Sequence, residues 1–314
     1  MSRVLCVILN WRTPDMTLRA AQAAITAMEG IDGAITIVDN DSLDGSFEAM
    51  SAAAADWPRV RVLQSGRNGG YGAGNNFGIR AGLPDGSSPD FVYILNSDAF
   101  PDPDAISGLL AYLEQNPDVG FAGSHIYGED GVPHVSAFRF PSIAGEFEGA
   151  AKTGPISRLL KNAIVAPDLP TQTARVDWLA GASVLMRQSV LDQVGLFDEA
   201  FFLYFEETDL CRRAAMAGWP TVYVVESRVM HLGSVSTGMK EWQRVPGYWF
   251  ASRRHYFEKN HGRLYAGLAT AAHIAGLGVY GLRVLAGRKK PHTPPHFLRD
   301  LVKHSWGTRI SRES

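Results

Sequence analysis

Three apolar runs, at 4–9 (VLCVIL), 34–38 (AITIV) and 91–95 (FVYIL), stop abruptly at asparagine or aspartate, and helical spacing fills the chain between them. Continuous apolar runs of this length read as strands buried on both faces, the kind a helix-covered parallel sheet requires. Strands alternating with helices of crossover length predict an α/β fold. Asn10 follows the first run, Asp39 to Ser42 the second, and Asn96, Ser97 and Asp98 the third; Asn68 comes shortly after a shorter run at 60–63. In a doubly wound sheet such residues converge on one rim, at the carboxyl ends of the strands, where ligands bind. A carboxylate there can hold Mg²⁺ or Mn²⁺ against a diphosphate. The competing reading is a strand and a turn, with Asp98 or Asp102 capping a helix that begins near Asp104.

The helices are marked by their caps and apolar faces. Thr13 or Asp15 can cap a helix to Met28 that carries Leu18, Ala21, Ala24, Ile25 and Met28 on one side. Ser46 can cap a second through Ala55, and Pro117 ends a third that spans 104–116. The segment 66–78, GRNGGYGAGNNFG, holds six glycines. It matches neither the dinucleotide fingerprint nor a P-loop, so its glycines read as close backbone approach to a ligand, with Arg67, Asn68, Asn75 and Asn76 as donors. A flexible surface turn is the alternative. Residues 126–174 carry five of the prolines and read as a loop-rich insert near an acceptor site, or as a connector.

Order returns at 176–181, with a strand over 182–186 and a short helix over 189–194. A further helix starts at Glu206, with Leu210, Ala214 and Ala217 on one face and Gly218 at its stop. Glu206, Glu207 and Asp209 crowd its first turn, where the helix dipole favours acids for purely structural reasons. A carboxylate beside the preceding apolar run FFLYF would instead have its proton affinity tuned for general base work. His231 follows a strand at 221–225. It is either a structural histidine or, with Asp98, part of a metal site.

Charge is distributed unevenly along the 314 residues: 251–314 holds 12 Lys and Arg against 3 Asp and Glu, and 1–250 holds 18 against 29. A basic end of this kind points to an anionic partner, a membrane surface or nucleic acid, with a solvated tail as the alternative. Residues 264–282 carry no formal charge apart from a protonatable His273, and Arg263, Arg283, Arg288, Lys289 and Lys290 flank them. The stretch just reaches spanning length but is rich in Ala and Gly, which favours an interfacial or weakly inserted helix over a full span. A buried helix or a dimer face is the alternative. Charges that flank an apolar run, with no base-stacking surface, argue against nucleic acid. Two cysteines, Cys6 and Cys211, make neither a disulfide framework nor a Cys-x-x-Cys site, and the N-terminus lacks a signal-peptide pattern. A reducing cytoplasmic setting is expected.

In order along the chain stand ILNW, IVDNDS, RNGGYGAGNN, YILNSDAF, WLAGASVLMRQSVL, GLFDEAFFLYFEETDLCRRAAMAGW, VMHLGS and RRHYFEKNHG. The set resembles glycosyltransferase family 2, and within it the bacterial rhamnosyltransferase-like enzymes that build polysaccharides on lipid carriers. The resemblance covers residues 3–262. It implies a GT-A type fold over 1–262, followed by a membrane-contacting tail over 263–314 at the inner face of the cell membrane. It implies an inverting transfer of a sugar, rhamnose among those expected, from a UDP- or dTDP-linked donor to a glycan or lipid-linked acceptor, assisted by Mg²⁺ or Mn²⁺. Carried over by position, Asn10 and Asp39 contact the base and ribose, Asn68 flanks the nucleotide, and Asn96 to Asp98 stands on the family's D-x-D motif, with Asp98 the metal carboxylate. Glu206 and Glu207 fall on the catalytic acidic pair, with Glu207 the base. His231 matches a metal ligand of some members, and Trp178, Gly181 and Ala182 the acceptor side. The chain departs from the family pattern at Asn96 and at Glu207, the latter one methylene longer than the aspartate expected. A nucleotidyltransferase and a non-catalytic nucleotide-sugar-binding protein are the alternative functions; the first lacks its glycine-rich basic signature near the first strand, and the second would fit a chain without these acids.

Overall fold

A computed structural model describes residues 2–233, 243–289 and 293–306. Ser234 of the VMHLGS stretch and Lys290 of the basic cluster lie outside the described residues. The chain divides into two compact units, the first made of Met1–Phe138, Asp168–Phe202 and Glu206–Met239, the second of Arg139–Pro167, Leu203–Phe205 and Lys240–Ser314.

The first unit opens with β1 (Arg3–Asn10), α1 (Pro14–Ala27), β2 (Asp32–Asp39), α2 (Ser46–Ala53) and β3 (Val60–Gln64), as the sequence pattern predicts. α1 starts with proline in its first turn, where a missing N–H costs nothing. It buries Ala20, Ala21, Ala24 and Ala27, small side chains that bring the helix close to the sheet. Next come α3 (Tyr71–Arg80), β4 (Phe91–Asn96), β5 (Ala99–Pro101), α4 (Ala105–Gln115), β6 (Phe121–Tyr127) and β7 (Ala137–Phe138). In the second unit the chain forms α5 (Ile143–Ala151) and α6 (Gly154–Leu159), then returns to the first as β8 (Ala174–Val176), β9 (Trp178–Leu179), β10 (Ser183–Arg187), α7 (Gln188–Val194), α8 (Glu206–Met216) and β11 (Thr221–His231). The sheet runs β3-β2-β1-β4-β10-β6-β11-β5, with β8 on β11. β1 to β4 are mutually parallel, while β10 is antiparallel to both of its neighbours.

Topology fixes where the polar strand ends fall. From β1 the chain winds outward through β2 to β3 and then back to β4 on the other side, so the strand order reverses between β1 and β4. A crevice opens at the carboxyl ends of strands at such a reversal. Register places the site residues there: Asn10 pairs with Asp39, and Leu9 pairs with Asn96. β11 pairs antiparallel with β5, which sets His231 opposite Ala99 and so beside Asp98.

The glycine-rich segment differs from its reading as a ligand-approach loop, because Tyr71–Arg80 is a helix packed on the sheet. A Cβ on Gly74 would lie 2.4 Å from Leu9 Cδ1, and one on Gly78 2.6 Å from Val7 Cγ1 and 2.9 Å from Val38 Cγ2. These glycines bring α3 against β1 and β2. Asn76 donates to Phe197 O at 2.8 Å and accepts from Phe197 N at 3.0 Å, so it ties buried backbone instead of facing a ligand. Glycine lowers helix propensity, which hid the element from a pattern reading, and burial of the glycine face overrides that cost.

The second unit adds α9 (Gly247–His261), α10 (Arg263–Leu285) and α11 (Phe297–Trp306) to α5 and α6. Part of the stretch read as loop-rich is therefore helical. α10 buries Ala266, Ala269, Thr270, Gly276 and Tyr280, and a Cβ on Gly276 would meet Phe147 O at 2.6 Å, so α5 and α10 are nearly in backbone contact. Between these helices lies a buried ionic cluster. Arg253 is 2% exposed, its Nη2 stands 2.9 Å from Glu146 Oε2, and His273 Nδ1 lies 2.6 Å from the same oxygen. Burial alone would raise the Glu146 carboxyl, but Arg253 and then His273 hold it below the usual carboxylate range.

Candidate active site

At the end of β1, Asn10 Nδ2 donates to Asp39 Oδ1 at 2.7 Å and to Ser42 Oγ at 3.2 Å, while its carbonyl oxygen accepts from Thr17 Oγ1 at 2.8 Å. Asp39 also accepts from Ser42 N at 3.0 Å and from Ser42 Oγ at 2.6 Å. These bonds hold both side chains, fully buried, in one orientation at the rim. Asn68 meets them through Asn40: its Oδ1 accepts from Asn40 Nδ2 and from Gly70 N, each at 3.0 Å. Gly70 is required where it stands, with φ +88° and a Cβ position only 1.9 Å from Phe202 O, the carbonyl that accepts from Tyr71 N and anchors the start of α3.

The second cluster joins β4 to β11. His231 Nε2 lies 3.0 Å from Asp98 Oδ1 and 3.4 Å from Asn96 Nδ2, and Leu232 N donates to Asp98 O at 3.1 Å. Thr13 Oγ1 lies 3.4 Å from Ser97 Oγ, across the gap between the β1 and β4 ends. Among the described residues no three His, Cys, Asp or Glu side chains converge as a ready-made cation cage. The Asp98 carboxylate suits Mg²⁺ or Mn²⁺, which commonly keep waters and take further oxygens from substrate phosphates, and the His231 imidazole stands beside it as a nitrogen donor.

The third cluster surrounds Gly181. Its carbonyl accepts from Tyr71 Oη at 2.6 Å, and its backbone borders the cavity that holds Glu207, whose Oε2 is buried without a hydrogen-bond partner among the described residues. A side chain at Gly181 would overlap the tyrosine oxygen, since a Cβ would stand 2.6 Å from it. Glu207 borders a cavity of about 20 Å³ walled by Ile94, Phe121, Leu179, Met186, Phe197 and Cys211. Burial in this apolar pocket pushes its carboxyl up, only partly offset by backbone N–H donors. The FFLYF run was expected to be that wall; β4, β6, β10 and α8 supply most of it. Glu206 is buried in the same helical turn. Burial, then Glu207, Glu206 and Asp98, raise the Tyr71 phenol well above its ordinary value, so it stays a neutral donor among three carboxylates. Sequence reasoning missed Tyr71, which stands in a segment read as loop.

Asn96 N donates to Ala182 O at 3.0 Å, which draws the Gly181 cluster to the end of β4, two residues before Asp98. Trp178 is stacked on Phe138, ring centroids 4.2 Å apart, in the short β7–β9 ribbon. The structure thus gathers Asn10, Asp39 and Asn68 in one network, Asn96, Asp98 and His231 in a second, and Glu207 with Gly181 in a third, while Trp178 stands on the adjoining ribbon. Backbone strain concentrates here too. Of eight non-glycine residues with positive φ among the described residues, Arg12, Asp41, Leu43, Tyr204 and Phe205 lie within four residues of Asn10, Asp39 or Glu206 in sequence.

Residues 2–245 match the family model described as Glycosyltransferase like family 2. The chain is 34% identical over 249 residues to an N-acetylglucosaminyl-diphospho-decaprenol L-rhamnosyltransferase of Mycobacterium tuberculosis, covering 76% of this chain and 79% of that one. It is 27% identical over 167 residues to the rhamnosyltransferase WbbL of Escherichia coli, covering 52% and 60% respectively. A crystal structure of GalNAc-T7 with UDP, GalNAc and Mn²⁺ superposes with a TM-score of 0.55 at 13% identity, over 93% of this chain and 59% of that chain. With the β1/β4 rim and its polar network, these similarities make the chain a member of glycosyltransferase family 2, a glycosyltransferase with a GT-A type fold.

Proposed function

We propose that the enzyme transfers a sugar, with inversion, from a nucleoside diphosphate sugar to a lipid-linked glycan acceptor in cell-surface polysaccharide synthesis. Glu207 carries the reading: a carboxylate whose proton affinity is raised by an apolar pocket is suited to general base work. Asn10, Asp39 and Asn68 belong to a pre-ordered polar network at the rim, suited to the nucleoside. Asp98 and His231 would hold a divalent metal, which neutralises the charge of the diphosphate when bound.

Glu207 takes the proton of the acceptor hydroxyl as its oxygen bonds to the anomeric carbon. The bond from that carbon to the diphosphate breaks on the opposite face, and the diphosphate leaves with the electron pair. One base suffices for this single displacement, and no enzyme nucleophile is needed. Tyr71 is a positioning residue, whose hydroxyl fixes the Gly181 carbonyl in the turn that borders the pocket of the base. Rhamnose as the sugar and a diphospho-polyprenol as the acceptor carrier are taken from the named activity of the mycobacterial relative.

Residues 1–262 form the catalytic domain in this reading, and 263–314 the membrane-contacting tail of an enzyme at the inner face of the cell membrane. α10 supports an in-plane contact over a span. It is long and apolar enough to cross a membrane, but α5 and α9 cover one face with Glu146 and Arg253, so a crossing would drag an ionic cluster into hydrocarbon. The test is nucleoside diphosphate release from UDP- and dTDP-sugars, with and without Mn²⁺ or Mg²⁺ and a lipid-linked acceptor. Acceptor-dependent, metal-dependent release with one donor class is expected. Full activity in chelator overturns the metal assignment, and equal release with water-soluble sugars overturns the lipid-linked acceptor.

A further inference from the structure

Beside the apolar stripe of α10, the second unit holds a cavity of about 200 Å³ between α9, α10 and α11. Arg253, Arg254 and Arg263 line it with the hydroxyl residues Thr270 and Ser305, and Trp306, 59% exposed, lies at its edge. Arg253 is ion-paired with Glu146, and Arg254 with Glu258, which also lines the cavity. Arg263 has no ion-pair or hydrogen-bond partner among the described residues and is exposed. Arg253 Nη1 also donates to Thr270 Oγ1, which bonds Ser305 Oγ, and Arg254 Nη1 donates to His304 O, so Arg263 is the guanidinium left to grip an oxyanion, with the charges of the other two beside it.

The neighbouring surface indicates what else such a ligand carries. Leu264, Leu268, Ala271, Ala275, Gly278, Leu282 and Leu285 recur at alternating spacings of four and three, all exposed. The four leucines are 50 to 85% exposed. Arg263, Gly267 and Thr270, which line the cavity, fall next to this stripe around the helix circumference. A cationic pocket therefore opens directly beside a long apolar strip, with a tryptophan of the kind found at headgroup depth.

We propose that this pocket receives the diphosphate of a lipid whose hydrocarbon chain lies along the exposed stripe of α10. A diphosphate presents more acceptor oxygens and more negative charge than a phosphodiester, which suits a pocket lined by three guanidinium groups. The inference rests on the lipid-linked acceptor reading and adds to it the residues that grip the carrier's head.

Flotation of the full-length protein on neutral phosphatidylcholine vesicles doped with a polyprenyl diphosphate, or with phosphatidylglycerol at matched charge, tests it. The protein should prefer the polyprenyl diphosphate vesicles, and inorganic pyrophosphate should compete. Arg263→Gln should weaken the preference about tenfold, the loss of one charge-assisted contact. Gly267→Leu should do the same by filling the cavity, since a Cβ there meets nothing within 4 Å. Arg299→Gln, which removes a charge of α11 that does not line the cavity, should keep the preference. Equal partition to phosphatidylglycerol vesicles overturns the proposal, and so does an unaltered preference in both pocket variants. If the wild type prefers diphosphate lipid yet transfers sugar to no lipid-linked acceptor, the acceptor reading falls and the pocket stands. If it transfers sugar while both pocket variants keep the wild-type acceptor KM and vesicle preference, the pocket falls and the acceptor reading stands.

Discussion

In the proposed mechanism two carboxylates have opposite requirements. Glu207 needs a high proton affinity, which its apolar surroundings supply; Asp98 needs to stay charged at the mouth of the sheet, beside His231. Glu207→Gln should lower the transfer rate at least about a hundredfold with donor affinity nearly unchanged, because a missing base acts on the chemical step. Single-turnover rates with the donor saturating check this, with Glu206→Gln as the control. Wild-type transfer should fall off in acid at a pH above the ordinary glutamate value. Since the folded-state value of Glu207 is raised, its favourable contribution to stability is complete below the unfolded value and is lost as pH rises through the folded one. Glu207→Gln should therefore melt higher than wild type at neutral pH, with the gap closing in acid. Asp98→Ala should abolish turnover and metal-dependent donor binding while a cooperative unfolding transition remains. Titration calorimetry with and without Mn²⁺ separates these outcomes, and unchanged metal-dependent binding sinks the role.

At the scale of elements, small residues and buried charges decide how helices seat. Gly78→Ala would press a methyl into Val7 and Val38, and should cost about 1–3 kcal/mol by overpacking. Denaturant midpoints measure it, and a variant as stable as wild type but weak in donor binding would return α3 to a ligand-contact role. The Glu146–Arg253–His273 cluster behaves differently. Glu146→Gln leaves Arg253 buried without its counter-charge and should cost about 3–5 kcal/mol at neutral pH. The carboxyl is held low in the folded state, so its contribution is present above the unfolded glutamate value and lost as pH falls through the folded one. The penalty should accordingly shrink in acid, and a pH-independent penalty would assign it to packing.

At the scale of the whole molecule, the proposed membrane contact joins the exposed stripe of α10 and the basic residues flanking it in one device. The contact involves side chains already in water, so removing them should change membrane partition without changing the fold. Replacing Leu264 and Leu268 together by glutamine should reduce vesicle binding by about tenfold or more, given roughly 1.5–3 kcal/mol for each fully buried leucine, and leave the melting temperature near that of wild type. A marked drop in melting temperature would instead identify the stripe as a face covered by protein. High salt should weaken binding through the charges of Arg283, Arg288 and Lys289 but leave the leucine contribution.

The sequence by itself determined the parallel half of the sheet and the residues at its rim. Apolar runs ending at Asn10, Asp39, Asn96 and Asp98 are local patterns, and a strand's end stays an end whatever packs on it. The acidic turn at Glu206 and Glu207 was legible for the same reason. What only the tertiary structure decided were choices among local states of similar energy. Tyr71–Arg80 became a helix because Gly74 and Gly78 fit against Leu9, Val7 and Val38, contacts that no window of sequence contains. β5 is three residues long and exists only as the partner that sets His231 beside Asp98. The wall around Glu207 comes from strands far away in the chain, and a carboxyl's proton affinity depends on how much water those distant side chains exclude.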